Sequence, residues 1–305
     1  MKFLLKYIRK SKLLLIIFYA MLNLRNILRR RFYQTNLKTG HRIENSDNII
    51  NYILLTSSFF DIAEIDYKSI KTALEIGPGD NLGLSISFLD KGIQEIDVFD
   101  KFQNDFNQNS INTIYKELIE SLGSNESIES YLEKISRLIK DNSKKFFLPK
   151  VNKKYDLIFS VSVLEHLWPA DKIIQELSNN LTDSGIHAHV INFTDHGMFS
   201  TEHNRFYFRF IPSWIYNPIM KSAGRPNRIL PDEFVEIFKK IGFESQIYPL
   251  KTHDNLLNFD KNICESITDK ELKEIKELYE PQFIENHDNL KNIATGSALI
   301  ISKRI

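Results

Sequence analysis

The chain has 305 residues, 42% of them hydrophobic and 26% charged, a formal net charge of +1 and one cysteine, Cys264. That length buries a sizeable core, the composition is that of a soluble globular protein, and a single cysteine excludes internal disulfides and fits a reducing, cytoplasmic setting. The near-neutral total hides an asymmetry: residues 1–43 hold eleven Lys and Arg and no acid, leaving 29 cations against 39 acids, about −10, in the rest.

The first 32 residues read as a basic, apolar helix. Lys2, Lys6 and Arg9 share one helical face, Leu13 to Leu24 is nearly all apolar, and Arg29–Arg30–Arg31 closes the segment. Twelve residues of helix span about 18 Å, short of the roughly 30 Å hydrocarbon core of a bilayer. No small-residue cleavage site follows, which speaks against a signal peptide. Two readings stand: an interfacial helix peripheral on the cytoplasmic face of a membrane, or a helix docked on its own domain. No nucleic-acid partner is expected, because the residues between the basic ones are aliphatic and not stacking aromatics.

Residues 33–305 read as one domain. Asn36 to Asp47 is polar, Asn48 to Ser57 has a helical pattern, and the apolar run from Thr72 to Ile76 reads as a buried strand. It ends in the turn Gly77–Pro78–Gly79, after which Asn81 to Leu89 reads as a helix. A second strand, Glu95 to Phe99, ends in Asp100. Asp105 to Asp141 reads as two helices broken near Gly123, and Phe146 to Leu148 as a short strand. Tyr155 to Val161 is a strong buried strand, Ala170 to Leu181 a helix and Gly185 to Phe193 a strand. Residues 194–230 lose all period and are rich in aromatics, Arg, His and Pro, as a lid or binding loop is. A helix from Pro231, a strand from Phe243 ended by Pro249, a charged helix from Thr268 to Tyr279 and a last strand, Ser297 to Ser302, follow. The alternation predicts an α/β chain with a Rossmann-like, doubly wound, mostly parallel seven-stranded sheet, helices on both faces, an N-terminal helix and a lid insertion.

The glycine turn is the chemical focus. Bare backbone at a strand end lets a small ligand approach closely, with helix N–H groups aimed at it. A dinucleotide fingerprint requires a third glycine three residues after the second, whereas Gly83 follows Gly79 by four. Glu75, just before the turn, repels a pyrophosphate and suits a ligand carrying a cation. Asp100, an acid at the next strand end, has the position that binds ribose hydroxyls in nucleotide folds.

Together Leu74–Glu75–Ile76–Gly77–Pro78–Gly79, Asp100 and the run Tyr155 to Leu167 (YDLIFSVSVLEHL) resemble a class I S-adenosylmethionine-dependent methyltransferase. Asp195–His196, the stretch Arg225 to Leu230 and Gly242–Phe243 also resemble one bacterial branch of these enzymes, with a D-H pair after the fifth strand and an N-R-L-like motif before the next helix. The resemblance covers about residues 70–305. It implies S-adenosyl-L-methionine as cofactor, with Glu75, Gly77, Pro78 and Gly79 at its methionine end and Asp100 on its ribose. It also implies Ser160, Glu165 and His166 beside the sulfonium and the substrate entrance. The adenine contact stays unassigned, since the matching region offers only Asp141 and Asn142.

Methyl transfer to an amine or hydroxyl gains from a general base. His196 is the first candidate, because it follows a strand's C-terminal end, with His166 and Asp195 beside it. Arg205 and Arg228, with Arg209 and Arg225, read as a clamp for an anionic acceptor, and Tyr207 as an aromatic face for it. No metal site is expected: His187 and His189 alternate on a core strand with no cysteine nearby. The expected activity is methyl transfer to O or N of a small or lipid-linked acceptor, such as a glycolipid or polysaccharide precursor. A nicotinamide-dependent oxidoreductase and a non-catalytic membrane adaptor retaining the fold are the alternatives.

Overall fold

The computed structural model describes residues 8, 10–32, 46–101, 109–141, 143, 145–146, 148–200, 202–221, 224–257 and 263–305. Lys2, Lys6, Arg9, the polar stretch as far as residue 45, the beginning of the helix expected from Asp105, and Asn142 lie outside the described residues.

The strands are β1 (Thr72–Ile76), β2 (Glu95–Phe99), β3 (Ile135–Arg137), β4 (Tyr155–Val161), β5 (Leu181–Asn192), β6 (Phe243–Thr252) and β7 (Thr295–Arg304). They form one sheet in the order β3-β2-β1-β4-β5-β7-β6. β1, β2, β3, β4 and β5 pair in parallel, and β7 inserts antiparallel between β5 and β6. Parallel neighbours need crossover connections, and helices supply them. The principal helices are α1 (Lys12–Phe32), α2 (Ser46–Asp61), α3 (Gly83–Asp90), α4 (Asn109–Leu122), α5 (Ile128–Glu133) and α6 (Ala170–Ser178). After β5 come α7 (Tyr207–Phe210), α8 (Ser213–Met220), α9 (Pro231–Lys239), α10 (Asp269–Lys276), α11 (Pro281–Glu285) and α12 (His287–Ala294).

Each sheet face has its own core. On one, Ala73, Ile96, Leu157 and Phe159 meet Ile53 and Phe60 of α2, Phe88 of α3 and Leu118 of α4. On the other, Leu74, Ile76, Ile158 and Ile300 meet Ile174 of α6 and Phe234 and Phe238 of α9. Burial on both faces explains why β1 and β4 read as continuous apolar runs. It also sorts their polar residues, because side chains alternate across a strand. Glu75 turns toward α3, and Ser160 turns the other way.

Two expectations need correction. The third strand is Ile135–Arg137, within the expected second helix, and not Phe146–Leu148. Three edge residues with one buried neighbour strand are too few to break a helical period. Pro249 does not end its strand, which runs on to Thr252 through a register shift. β6 is an edge strand, where a missing N–H faces no partner. The N-terminal helix, expected over residues 1–32 around a twelve-residue apolar run, spans Lys12–Phe32, 21 residues, among the described residues. Its Leu15 and Tyr19 are buried against Met198, Phe199, Phe208, Ile211, Tyr216 and Met220, so it packs on the 194–230 segment. Asn23 Nδ2 donates to Pro218 O at 2.9 Å, and Lys12 Nζ lies 3.9 Å from the Tyr207 ring centre. Among the described residues no helix is long and apolar enough to cross a membrane.

Candidate active site

The strand order reverses between β1 and β4, and open α/β sheets bind ligands in the crevice above such a point. The β1 end turns sharply: Gly77 and Gly79 have φ of +71° and +75°, a region costly for residues with a side chain. At Gly77 an added Cβ would also stand 2.6 Å from Val163 Cγ2, beyond the β4 end. At Gly79 it would meet no described residue within 4 Å. Gly77 N donates to Phe99 O at 2.7 Å and Gly79 N to Asp100 Oδ2 at 3.1 Å, tying the turn to the β2 end. The third glycine has a packing cause: a Cβ on Gly83 would stand 2.2 Å from Ile53 Cδ1, where α3 meets α2.

Two carboxylates are buried at this crevice. Glu75 is 4% exposed and accepts a hydrogen bond from Ser85 Oγ of α3. Burial pushes its carboxyl up to about 7; the Ser85 bond opposes the rise and the Asp100 charge adds to it. Glu165 is 2% exposed, in the 3₁₀ turn Leu164–His166 after β4. Burial pushes it up to about 8, opposed by the nearby amides of Glu165 and Asn192 and the Ser162 hydroxyl. None of those closes a hydrogen bond of good geometry on either carboxylate oxygen.

His166 and His196 stand beside Glu165. His196 Nε2 is 3.9 Å from Glu165 Oε1, and the two imidazoles meet edge to face with centres 4.9 Å apart. His196 sits in the left-handed region at φ +52°, an uncommon setting for a residue with a side chain. Its neighbours hold it there: Arg225 Nη1 donates to His196 O at 3.1 Å. Asn227 N donates to Glu165 O at 2.6 Å, and Asn227 Nδ2 to Leu164 O and Leu167 O. The 225–227 segment therefore clasps both the β4 and the β5 ends.

Several expected site residues have other work. Asp195 accepts from the amides of Gly197, Phe199 and Ser200 and from Ser200 Oγ, which anchors its loop and leaves no base. The Ser160 hydroxyl is buried and joined at 2.8 Å to His189 Nδ1, on the face away from Glu75, so its side chain does not line the crevice. His189 Nε2 continues at 3.1 Å to His187 Nδ1, and His187 Nε2 at 2.8 Å to Ser178 Oγ. Arg205 is enclosed by Glu274 and Asp254. Arg228 Nη1 donates to the carbonyls of Phe208, Arg209 and Ile211, and Nη2 to Ser213 Oγ. Both guanidiniums thus staple the 194–230 segment to itself and to its neighbours. Tyr207 lies against Phe199 and beneath Lys12. Ser85, and Tyr115, whose hydroxyl accepts from Leu82 N at 2.8 Å, are parts of the site that the sequence did not single out. Neither carries a local signal, since both act across elements.

The sequence matches no family model and no curated protein. Its fold is similar to that of the mitomycin 7-O-methyltransferase MmcR, with 12% identity, 83% of this chain and 54% of that chain covered, and a TM-score of 0.40. It is also similar to a putative O-methyltransferase from Nostoc punctiforme (14% identity, 84% and 56% covered, TM-score 0.43). A third is the plantazolicin methyltransferase BamL, in complex with a triazolic desmethylPZN analog and SAH (12% identity, 94% and 98% covered, TM-score 0.41). The seven-stranded, mostly parallel sheet with helices on both faces is a Rossmann-like arrangement. The chain spans about half the length of the first two, and scores of this size carry no residue-level correspondence.

Proposed function

We propose that the chain is an S-adenosyl-L-methionine-dependent methyltransferase acting on O or N of a small or lipid-linked acceptor of the glycolipid or polysaccharide-precursor kind. The observation that carries this is Glu75, a buried carboxylate beside a glycine turn of positive φ at the point where strand order reverses. A buried acid at that place favours a ligand bringing an ammonium group and disfavours a pyrophosphate. Glu75 would take the ammonium, Gly77, Pro78 and Gly79 would allow close approach, and Asp100 would take ribose hydroxyls. The cofactor supplies an activated methyl on a sulfonium. The chain's part is to hold an acceptor in line and take its proton at His196 Nε2, close to Glu165. Titration calorimetry with S-adenosylhomocysteine and with NAD tests the assignment: binding of the first is expected, and tight NAD binding with no S-adenosylhomocysteine binding overturns it.

The lipid-linked part of the reading rests on α1. Leu15 and Tyr19 face inward, while Leu13 (66% exposed), Ile17, Met21 (65%), Leu24 and Leu28 form a continuous exposed stripe at helical spacing. Trp214 of α8, the helix under α1, is 78% exposed. An apolar stripe within a segment of eleven cations and no acid suits an anionic membrane surface. Co-sedimentation with vesicles containing phosphatidylserine should drop several-fold for Leu13→Ser/Met21→Ser; undiminished binding removes the membrane contact.

A further inference from the structure

Glu165, His166 and His196 each offer one ligand atom, and the three atoms lie within 4.8 Å of one another. They come from two strand ends, β4 and β5, brought together by the fold. The observation that gives the cluster meaning is the state of Glu165. Among the described residues neither of its buried oxygens closes a hydrogen bond of good geometry, although buried carboxylates are ordinarily satisfied. This buried carboxylate faces the His166 and His196 imidazoles, with Oε1 3.9 Å from His196 Nε2.

We propose that Glu165, His166 and His196 bind a divalent first-row transition cation of the zinc, manganese or cobalt class. Two imidazole nitrogens and one carboxylate oxygen suit those ions and not magnesium or calcium, which take oxygen throughout. The spacing suits them too. Ligand atoms about 2.1 Å from one ion stand roughly 3–4.2 Å apart, according to the angle between them. Glu165 Oε1 and His196 Nε2, at 3.9 Å, already fall in that range, and all three ligand atoms lie within 4.8 Å of one another. The backbone around the ligands is fixed from outside, as metal sites require: Asn227 holds the carbonyls of Leu164, Glu165 and Leu167, and Arg225 that of His196. Asp195, next in sequence, is not a fourth ligand, because its oxygens are taken by its own loop.

Three protein ligands leave coordination positions open, and a cation there takes an acceptor that presents oxygen. With an ion bound, His196 would serve as a ligand in place of the base role it has in the ion-free site. The ion would lower the pKa of a coordinated acceptor hydroxyl, and its proton would pass to solvent water. This narrows the acceptor to the O branch of the proposed reaction, and it rests on that reading only for this step; the ion site itself does not depend on it.

The test uses untagged full-length chain freed of metal by chelation, with zinc and cobalt(II) as the probes and no methyl donor present. One equivalent of zinc per chain, and a visible cobalt(II) spectrum of an imidazole-carboxylate site, are expected. Glu165→Gln and His196→Ala should each weaken zinc binding at least tenfold, while His287→Ala, which removes an exposed histidine of α12, leaves it unchanged. Glu165→Gln keeps the shape of the side chain, and its far-ultraviolet dichroism and melting establish that it is folded. Absence of stoichiometric uptake, or uptake equal in the starting chain and both ligand variants, overturns the proposal. Because S-adenosylhomocysteine binding is measured separately, failure of the ion site and failure of the methyltransferase reading give different results.

Discussion

Glu75 and Glu165 are the same residue type, both buried at strand ends of one sheet, and their surroundings make them different groups. Glu75 has a hydroxyl partner on α3, in the local strand-turn-helix unit. Glu165 has two imidazoles beside it and, among the described residues, no hydrogen bond of good geometry, in a pocket assembled from β4, β5 and the 225–227 segment. The first carboxylate is set up within some ten residues of chain, the second by pieces far apart. The difference is between a donor half that is local and an acceptor half that is tertiary, and it can be pressed experimentally.

The largest effect expected is on stability against pH. Glu75 has its folded pKa raised from an ordinary 4.5 to about 7, so the folded chain holds this proton more tightly than the unfolded one. The associated stability is fully present below about 4.5 and is lost as pH rises through 7. Its span is about 3 kcal/mol at 1.36 kcal/mol per unit. Urea unfolding of ligand-free chain should therefore weaken between pH 5 and 8, and Glu75→Gln should flatten that slope; an equally steep slope in the variant would break the account of Glu75.

Next is cofactor affinity. Removing the negative charge from a charge-assisted contact costs about 2–3 kcal/mol. Glu75→Gln is accordingly expected to weaken S-adenosylhomocysteine binding some thirty- to hundredfold by calorimetry, while Glu165→Gln changes it less than about threefold. Equal losses in the two variants would mean that the halves form one indivisible site. Gly77→Ala forces a side chain into positive φ against Val163, for about 1–3 kcal/mol of lost stability and weaker cofactor binding, seen by melting and calorimetry together. The smallest effect belongs to Ser85→Ala, about 1 kcal/mol, with the Glu75 carboxyl moving further up once its hydrogen bond is gone. A carbon-13-detected titration of Glu75 that shifts down instead would contradict that assignment.

What the sequence discloses follows the same division. The glycine turn is legible because its causes are local: a buried run, two glycines needed for positive φ, a helix start. The sheet is legible from alternating strands and helices, except β3, whose three residues hide in a helical period. The arginines of 194–230 are not legible. Arg205 meets carboxylates 69 and 49 residues away, and Arg228 reaches carbonyls 17 to 20 residues back, so nothing near them in sequence tells a staple from a clamp. Asp195 falls between: Asp before a run of loop amides is a common anchor, and beside His196 it reads just as well as catalytic. Ser160 is a lesson in alternation, since the period of two that makes β4 a strand also turns its hydroxyl from the crevice.

That hydroxyl has a further consequence. Burial holds His189 at about 3 and His187 well below its ordinary range, so both rings are neutral and each carries a single N–H. Ser178 Oγ donates its proton to Ile174 O, so it can only accept from His187 Nε2–H. His187 Nδ1 then accepts from His189 Nε2–H, and His189 Nδ1 accepts from Ser160 Oγ–H. A single carbonyl on α6 thereby fixes both tautomers and the direction of every proton in the file. The file runs along one face of β4 and β5 to α6, and its far end commits the Ser160 proton to the interior.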